Sequence, residues 1–259
     1  MPEGDTVWKT AQLQHAALAG AVLESSDFRV PKYATVDLAG QTVHEVVSRG
    51  KHLFHRVGEF SIHSHLKMEG VWRSYAAGAK WTKPAFTARV ILDAPGVQAV
   101  GFELGLLEVI KTTDEEDVVG HLGPDLLGAD WDPDLAAARL AADPDVPIYV
   151  ALLDQRNLAG VGNVYANEIC FLRGVLPTRP VGRTPALDKV VDLAERMLQA
   201  NKQRFTRSTT GDLRPGRTSW VYGRTGRPCR RCGTRLLGGE LGRVEGQERV
   251  VTWCPRCQT

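Results

Sequence analysis

Apolar residues near the start of the chain recur at helical spacing. Val7, Trp8, Ala11 and Leu18 fall on one side of a helix over residues 5–19, which Asp5 or Thr6 can cap and Gly20 ends. The pattern then changes to short β-rich runs punctuated by Gly and Pro, at residues 42–47, 53–57, 71–75, 86–92 and 106–110. Several short strands at this spacing predict a β-sandwich or barrel-like domain. Within it, Arg49-Gly50-Lys51-His52 reads as a tight hairpin turn that presents a lysine.

Helical spacing returns further on. Residues 134–142, 148–155, 163–173 and 187–200 each carry it, and Pro147 is placed as a helix-starting proline. Between the two patterns lies an acidic run with Gly and Pro, Thr113 to Asp117 and Gly123-Pro124-Asp125, which reads as an interdomain connection. The chain ends in a stretch where residues 238–252 can form a β-hairpin between two pairs of cysteines. The expected divisions are a β domain over 1–112, a linker over 113–130, a helical domain over 131–222 and a finger over 223–259.

Composition changes this picture little and charge distribution changes it more. At 259 residues, 43% hydrophobic and 24% charged, the chain has an ordinary globular balance. No apolar stretch reaches the roughly 20 residues of a membrane span, and no signal peptide is visible, so a cytoplasmic protein is expected. The net charge of +2 hides an asymmetry: Thr112 to Asp145 holds ten acids and one base, Asn201 to Arg235 ten bases and one acid. One region is strongly positive, and a polyanion is its natural partner.

Four patterns carry candidate chemistry. Pro2, if Met1 is removed, offers a secondary amine beside the carboxylate of Glu3, a nucleophile next to an acid/base. On a sugar C1′ such an amine gives a permanently cationic iminium, an electron sink for eliminating the flanking phosphates. Gly160-Val161-Gly162-Asn163 precedes a helix that Asn163 can cap, with amides facing outward as a phosphate site requires; a plain helix hairpin would need the same glycines. His63 and His65 alternate like a metal pair but lack a third ligand nearby, while Met68 and Lys51 also have ordinary readings as core filler and solvated lysine. Cys229-Arg230-Arg231-Cys232 and Cys254-Pro255-Arg256-Cys257 have the spacing of a tetrahedral four-thiolate zinc site, with disulfides the competing reading. The fifth cysteine, Cys170, is expected to be buried and inert.

Together these stretches resemble the formamidopyrimidine-DNA glycosylase and endonuclease VIII family from end to end. The resemblance rests on Met1-Pro2-Glu3, Arg49-Gly50-Lys51-His52-Leu53 and His65-Leu66-Lys67-Met68-Glu69-Gly70. It continues through Leu152-Leu153-Asp154-Gln155, Ala159 to Glu168, and Arg249 to Gln258. It implies an α+β multidomain fold: a β-sandwich with a leading helix, a helix-two-turns-helix domain and a β-hairpin zinc finger. It also implies that Pro2 attacks C1′ of an everted nucleotide and that Glu3 protonates the sugar ring oxygen. Base release and then β- and δ-elimination follow. Lys51, placed with the catalytic set, grips backbone phosphates together with Asn163 and Arg249, and Met68 occupies the vacated stack. One structural zinc ion sits on Cys229, Cys232, Cys254 and Cys257, with damaged DNA as partner, no small-molecule cofactor and a monomeric state.

Two departures bear on specificity. Gly4-Asp5-Thr6 follows Pro2-Glu3, closer to the endonuclease VIII branch. Gly101 to Leu106 stands where the formamidopyrimidine branch has Asp-Pro-Arg-Arg-Phe-Gly. Oxidised pyrimidines are therefore expected ahead of 8-oxoguanine. The 21 residues between the cysteine pairs make a long fingertip, with Arg249 five residues before Cys254. The alternatives are an enzyme acting mainly as an abasic-site lyase and a non-catalytic zinc-finger protein that binds damaged DNA.

Overall fold

The computed structural model describes residues 2–259. The chain divides into two compact units, Met1–His121 and Leu122–Thr259. The first unit opens with α1 (Gly4–Leu18) and continues through β1 (Ser25–Phe28), β2 (Val43–Arg49), β3 (His52–Val57), β4 (Phe60–His65), β5 (Val71–Ala76), β6 (Ala88–Ala94), β7 (Val97–Phe102) and β8 (Leu106–Lys111). The strands form two antiparallel four-stranded sheets, in the orders β1-β6-β7-β5 and β2-β3-β4-β8. Val46, Leu53, Ile62 and Leu107 of one sheet share a buried core with Phe28, Trp72, Val90 and Ala99 of the other. This is the expected sandwich.

Helix α1 bridges the two sheets. Val7, Ala11 and Leu18 enter the core, the amide of Val46 on β2 donates to His15 Nδ1 at 3.1 Å, and Gln14 Nε2 donates to Ser74 Oγ on β5 at 3.0 Å. The helix starts earlier than its sequence suggests. Its N-cap is Glu3, whose carbonyl accepts from the amides of Thr6 and Val7, while the Asp5 carboxylate bonds the neighbouring Thr6 amide at 2.8 Å.

Three strands escape the sequence pattern for physical reasons. Strand β1 is short and polar. Strand β4 buries Ser61, His63 and Ser64 as fully as Ile62, so it shows no alternation, and β7 is apolar throughout most of its length. Phe86, read as the start of a strand, lies on a 3₁₀ turn before β6 and is exposed. The acidic run is not an open tether where it begins: in α2 (Glu115–Val119), Glu115 is gripped by Arg56 on β3 and by the Ser61 hydroxyl on β4.

The second unit packs α3 (Pro133–Ala141), α4 (Ile148–Leu153), α5 (Asn163–Leu172) and α6 (Leu187–Asn201) around a core that includes Leu140, Tyr149, Leu152, Tyr165, Ile169 and Leu198. It closes with the hairpin β9 (Leu237–Leu241) and β10 (Arg249–Trp253), in which Arg249 pairs with Leu241. Phe171 of α5 leads a small separate core with Val221, Leu236, Cys229 and Cys254. The Arg231 guanidinium lies over the Phe171 ring at 4.5 Å, and Trp220 stacks on Phe171 at 5.6 Å. Among the described residues, no helix is long and apolar enough to cross a membrane.

Candidate functional site

Pro2 and Glu3 sit at the start of α1. Pro2 is half-buried and Glu3 is 0% exposed, and the Glu3 side chain makes no capping bond to the helix it begins. The carboxylate next to the proline is thus sequestered from water without serving as a cap. Met1, on whose removal the amine depends, lies outside the described residues.

Lys51 is carried on the two-residue turn between β2 and β3, where Arg49 pairs with His52. Gly50 has φ 58°, which the first central position of a type II′ turn requires and glycine alone supplies without strain. The next residue, His52, anchors a hydrogen-bonded chain: His52 Nδ1 meets His63 Nε2 at 2.8 Å, and His63 Nδ1 meets Glu108 Oε2 on β8 at 3.0 Å. Burial lowers His63 despite the raising pull of Glu108, and burial with the neighbouring His63 holds His52 at about 3, so both rings are neutral at neutral pH. The Glu108 carboxylate can only accept, so His63 donates from Nδ1 and accepts at Nε2, and His52 donates from Nδ1. His65, held near 4 by burial and Lys67, accepts the Lys67 amide at Nδ1. These histidines form a polar brace behind the Lys51 turn and not a metal centre.

Met68 is 60% exposed on the turn after β4, which excludes the core-filler reading. The turn is tight: a Cβ on Gly70 would lie 2.4 Å from the Leu66 carbonyl oxygen, and Lys67 adopts φ 53°. The adjacent turn between β7 and β8 also holds a non-glycine residue in the left-handed region, Glu103 at φ 49°. Glu103 is ion-paired with Lys83, while Phe102 and Leu104 are buried. The Gly101–Leu106 turn therefore presents neither an arginine nor an exposed aromatic.

In the second unit, Asn163 departs from its expected role. The N-cap of α5 is Gly162, and Asn163 is the first helical residue, only 8% exposed. Its orientation follows from one unambiguous donor. The Thr252 amide donates to Asn167 Oδ1 at 2.7 Å, so Asn167 Nδ2 is the end that meets Asn163, and the Asn163 atom it reaches at 2.8 Å must be Oδ1. The Tyr149 hydroxyl donates to that same Oδ1 and also approaches the Val250 carbonyl at 3.3 Å. With Oδ1 doubly engaged, Nδ2 is the end of Asn163 left to donate to a ligand. The same network ties α5 to β10, the strand that begins with the exposed Arg249. Arg243, in the long fingertip turn, pairs with Asp143 at 2.9 Å.

Sequence reasoning passed over Glu168, which is fully buried on α5. Its carboxylate accepts from the amides of Trp220, Val221 and Tyr222 at 2.7–2.8 Å and from the Thr209 hydroxyl. It staples the basic segment after α6 to the helix that carries Asn163. Its only sequence signal is a carboxylate on the buried face of an apolar helix.

The ligand atoms of Cys229, Cys232, Cys254 and Cys257 all lie within 4.8 Å of one another. Among the described residues this is the one His, Cys, Asp or Glu cluster able to hold a metal ion. Cys170 is buried and its thiol is pushed up to about 12 by that burial, as expected of an inert cysteine.

The geometry has close counterparts. Residues 1–102 match the formamidopyrimidine-DNA glycosylase N-terminal domain, and residues 122–201 match the formamidopyrimidine-DNA glycosylase H2TH domain. The chain is 55% identical to the DNA-(apurinic or apyrimidinic site) lyase Nei2 of Mycolicibacterium smegmatis, over 100% of this chain and 99% of that protein. The chain belongs to the formamidopyrimidine-DNA glycosylase/endonuclease VIII family. Another family member, endonuclease 8 2 of Mycobacterium tuberculosis, is 53% identical over the full length of both chains. The family fold is also that of MutM in a solved complex with DNA containing carbocyclic 8-oxo-G, with a TM-score of 0.82, 24% identity and full coverage of both chains.

Proposed function

We propose that this family member is a bifunctional DNA glycosylase and abasic-site lyase of base excision repair, working through an amine at Pro2. The observation that carries the reading is the fully buried Glu3 carboxylate, adjacent to Pro2 and not used to cap α1. With Met1 removed, the Pro2 nitrogen attacks C1′ as Glu3 delivers a proton to the ring oxygen, and the base departs. The resulting iminium acidifies C2′, so loss of that proton expels the 3′ phosphate and a second elimination expels the 5′ phosphate. Lys51, Asn163 and Arg249 are the proposed phosphate ligands. Asn163 Nδ2 and the exposed Arg249 guanidinium are donors of the kind phosphate oxygens require. Met68 is the proposed side chain for the space vacated by the everted nucleotide.

Oxidised pyrimidines are the proposed substrates, supported by a Gly101–Leu106 turn that offers no arginine or exposed aromatic to an opposite base. One structural zinc ion is proposed on the four cysteines; four thiolates suit a closed tetrahedral site, and two of the residues, Cys229 and Cys254, are buried in a dedicated small core. When bound, the ion cross-links the two ends of the finger. The protein is proposed to act as a monomer in the cytoplasm.

Borohydride trapping tests this reading on oligonucleotides with an abasic site or 5-hydroxyuracil, using Pro2→Gly, Glu3→Gln and a protein that retains Met1. A covalent adduct with both DNAs that is lost when Met1 is retained is the expected result. Adduct on the abasic site alone would reduce the function to a lyase. No adduct with a verified free Pro2 would leave a DNA-binding protein without chemistry.

A further inference from the structure

The loop after α6 presents Phe205 to solvent with 98% of its surface exposed, the most exposed large hydrophobic residue among those described. Leaving a phenylalanine in water forgoes about 1.5–3 kcal/mol of burial. The loop beneath it is nonetheless closed and anchored. Asn201 Nδ2 donates to the Met197 carbonyl, and Asn201 Oδ1 accepts the Ser208 amide, both at 2.8 Å. The Arg204 amide turns back onto the Asn201 carbonyl, and the Ser208 hydroxyl reaches the Asp212 carbonyl at 2.9 Å. The aromatic ring is therefore held at the tip of a pinned loop and is not part of a loose tail.

Its surroundings are basic. Lys202, Arg204 and Arg207 flank it within the run Lys202 to Arg207, which contains no acidic residue. Arg207 stacks its guanidinium over the ring of Tyr165 at 5.0 Å, two residues along α5 from Asn163. The Phe205 loop is thus fastened to the helix that carries the proposed phosphate ligand.

An exposed flat aromatic set among cations is the arrangement by which proteins take up unpaired bases, the ring stacking on the base while the cations follow the phosphates. We propose that Phe205 is a stacking platform for an unpaired base of a DNA strand, with Lys202 and Arg204 contacting the adjoining phosphates. This rests on the DNA-processing reading above and adds a base contact outside the Pro2 chemistry. Stacking is sequence-tolerant, so the platform takes any base that is out of a duplex.

The test is fluorescence anisotropy at one fixed salt concentration, with a labelled single-stranded oligonucleotide and the fully paired duplex of the same sequence. The wild type is compared with Phe205→Ala, Phe205→Leu and Phe205→Trp. Loss of about fivefold or more in single-strand affinity is expected for Ala and Leu, in line with the stacking of one base, with Trp close to wild type and duplex affinity unchanged. The salt dependence should keep its slope, because no charge is removed. Wild-type affinity of Phe205→Ala for the single strand would overturn the proposal and turn attention to a protein partner for the ring. Equal losses on single strand and duplex, or a Trp variant as weak as Ala, would overturn it as well. Borohydride trapping of Phe205→Ala on abasic DNA separates the two readings, since the adduct depends on Pro2 and not on this loop.

Discussion

The Tyr149 hydroxyl donates to the side-chain oxygen of Asn163 across 2.6 Å, and Asn167 Nδ2 donates to the same oxygen across 2.8 Å. An asparagine with its acceptor doubly occupied is a fixed donor. This makes Asn163→Asp an informative substitution, because a carboxylate still satisfies both Tyr149 and Asn167 but offers a negative oxygen where the Nδ2 donor was. The variant should unfold in urea at a concentration close to wild type while binding abasic-site DNA at least about tenfold more weakly, a loss of about 1.4 kcal/mol. Tyr149→Phe should weaken DNA binding by about fivefold, the worth of one hydrogen bond, with an unchanged salt slope.

His55 gives a prediction about stability. It is fully buried, its ring tilted against that of Trp72 with centroids 4.2 Å apart, and neither ring nitrogen has a hydrogen-bond partner. Burial holds it at about 3, well below the usual histidine value. Between that value and about 6.5 the unfolded chain binds the proton that the folded chain refuses. Stability is therefore full above about pH 6.5 and falls with acid, by at most about 1.4 kcal/mol per pH unit from this residue. His55→Phe should raise stability at pH 7 and flatten that decline, as read by urea denaturation at pH 7.5, 6 and 5. An unaltered pH slope would remove His55 from the acid response.

Glu168 should be among the least replaceable residues of the second unit. Glu168→Ala leaves the amides of Trp220, Val221 and Tyr222, the second of them fully buried, without their acceptor, at a cost of about 3 kcal/mol or more. Limited proteolysis should then cut within residues 205–222 at a protease level that leaves the wild type intact. Resistance to cleavage would show that the segment is held by other contacts.

The four cysteines predict one equivalent of zinc per chain, measurable by elemental analysis. Cys232→Ser and Cys254→Ser should each abolish it, and a strong chelator should lower the melting temperature of the wild type while leaving a zinc-free variant where it began. Zinc retained by Cys254→Ser would contradict the assignment.

The parts of the fold that the sequence made visible are those whose signal is local. Helices α3 to α6 fall within two residues of the expected ends at every terminus, and the hairpin of the finger is displaced by one residue at each outer end. The cysteine pairs needed only their spacing. What was not legible depends on partners far along the chain. Asn163 reads as an outward-facing cap until Tyr149 and Asn167 claim its oxygen, and Glu168 acquires meaning only from amides more than fifty residues later. Strand β4 hid because His63 and Ser64, polar by composition, are satisfied internally by Glu108, His52 and Trp72. For Met68 the spacing allowed burial or insertion, and only its exposure distinguishes them.

The union of α5 with β10 also has a temporal side. Asn163 and Asn167 emerge from the ribosome early, whereas Thr252, which fixes their orientation, and Cys254 and Cys257, which complete the metal cluster, are made roughly ninety residues later. During that interval α5 holds its buried amides without their acceptors and donors from the finger. Translation must therefore pass Thr252 before Asn167, and through it Asn163, acquires its final orientation, so a chain cut short before β10 lacks the contact that leaves Asn163 Nδ2 as the donor.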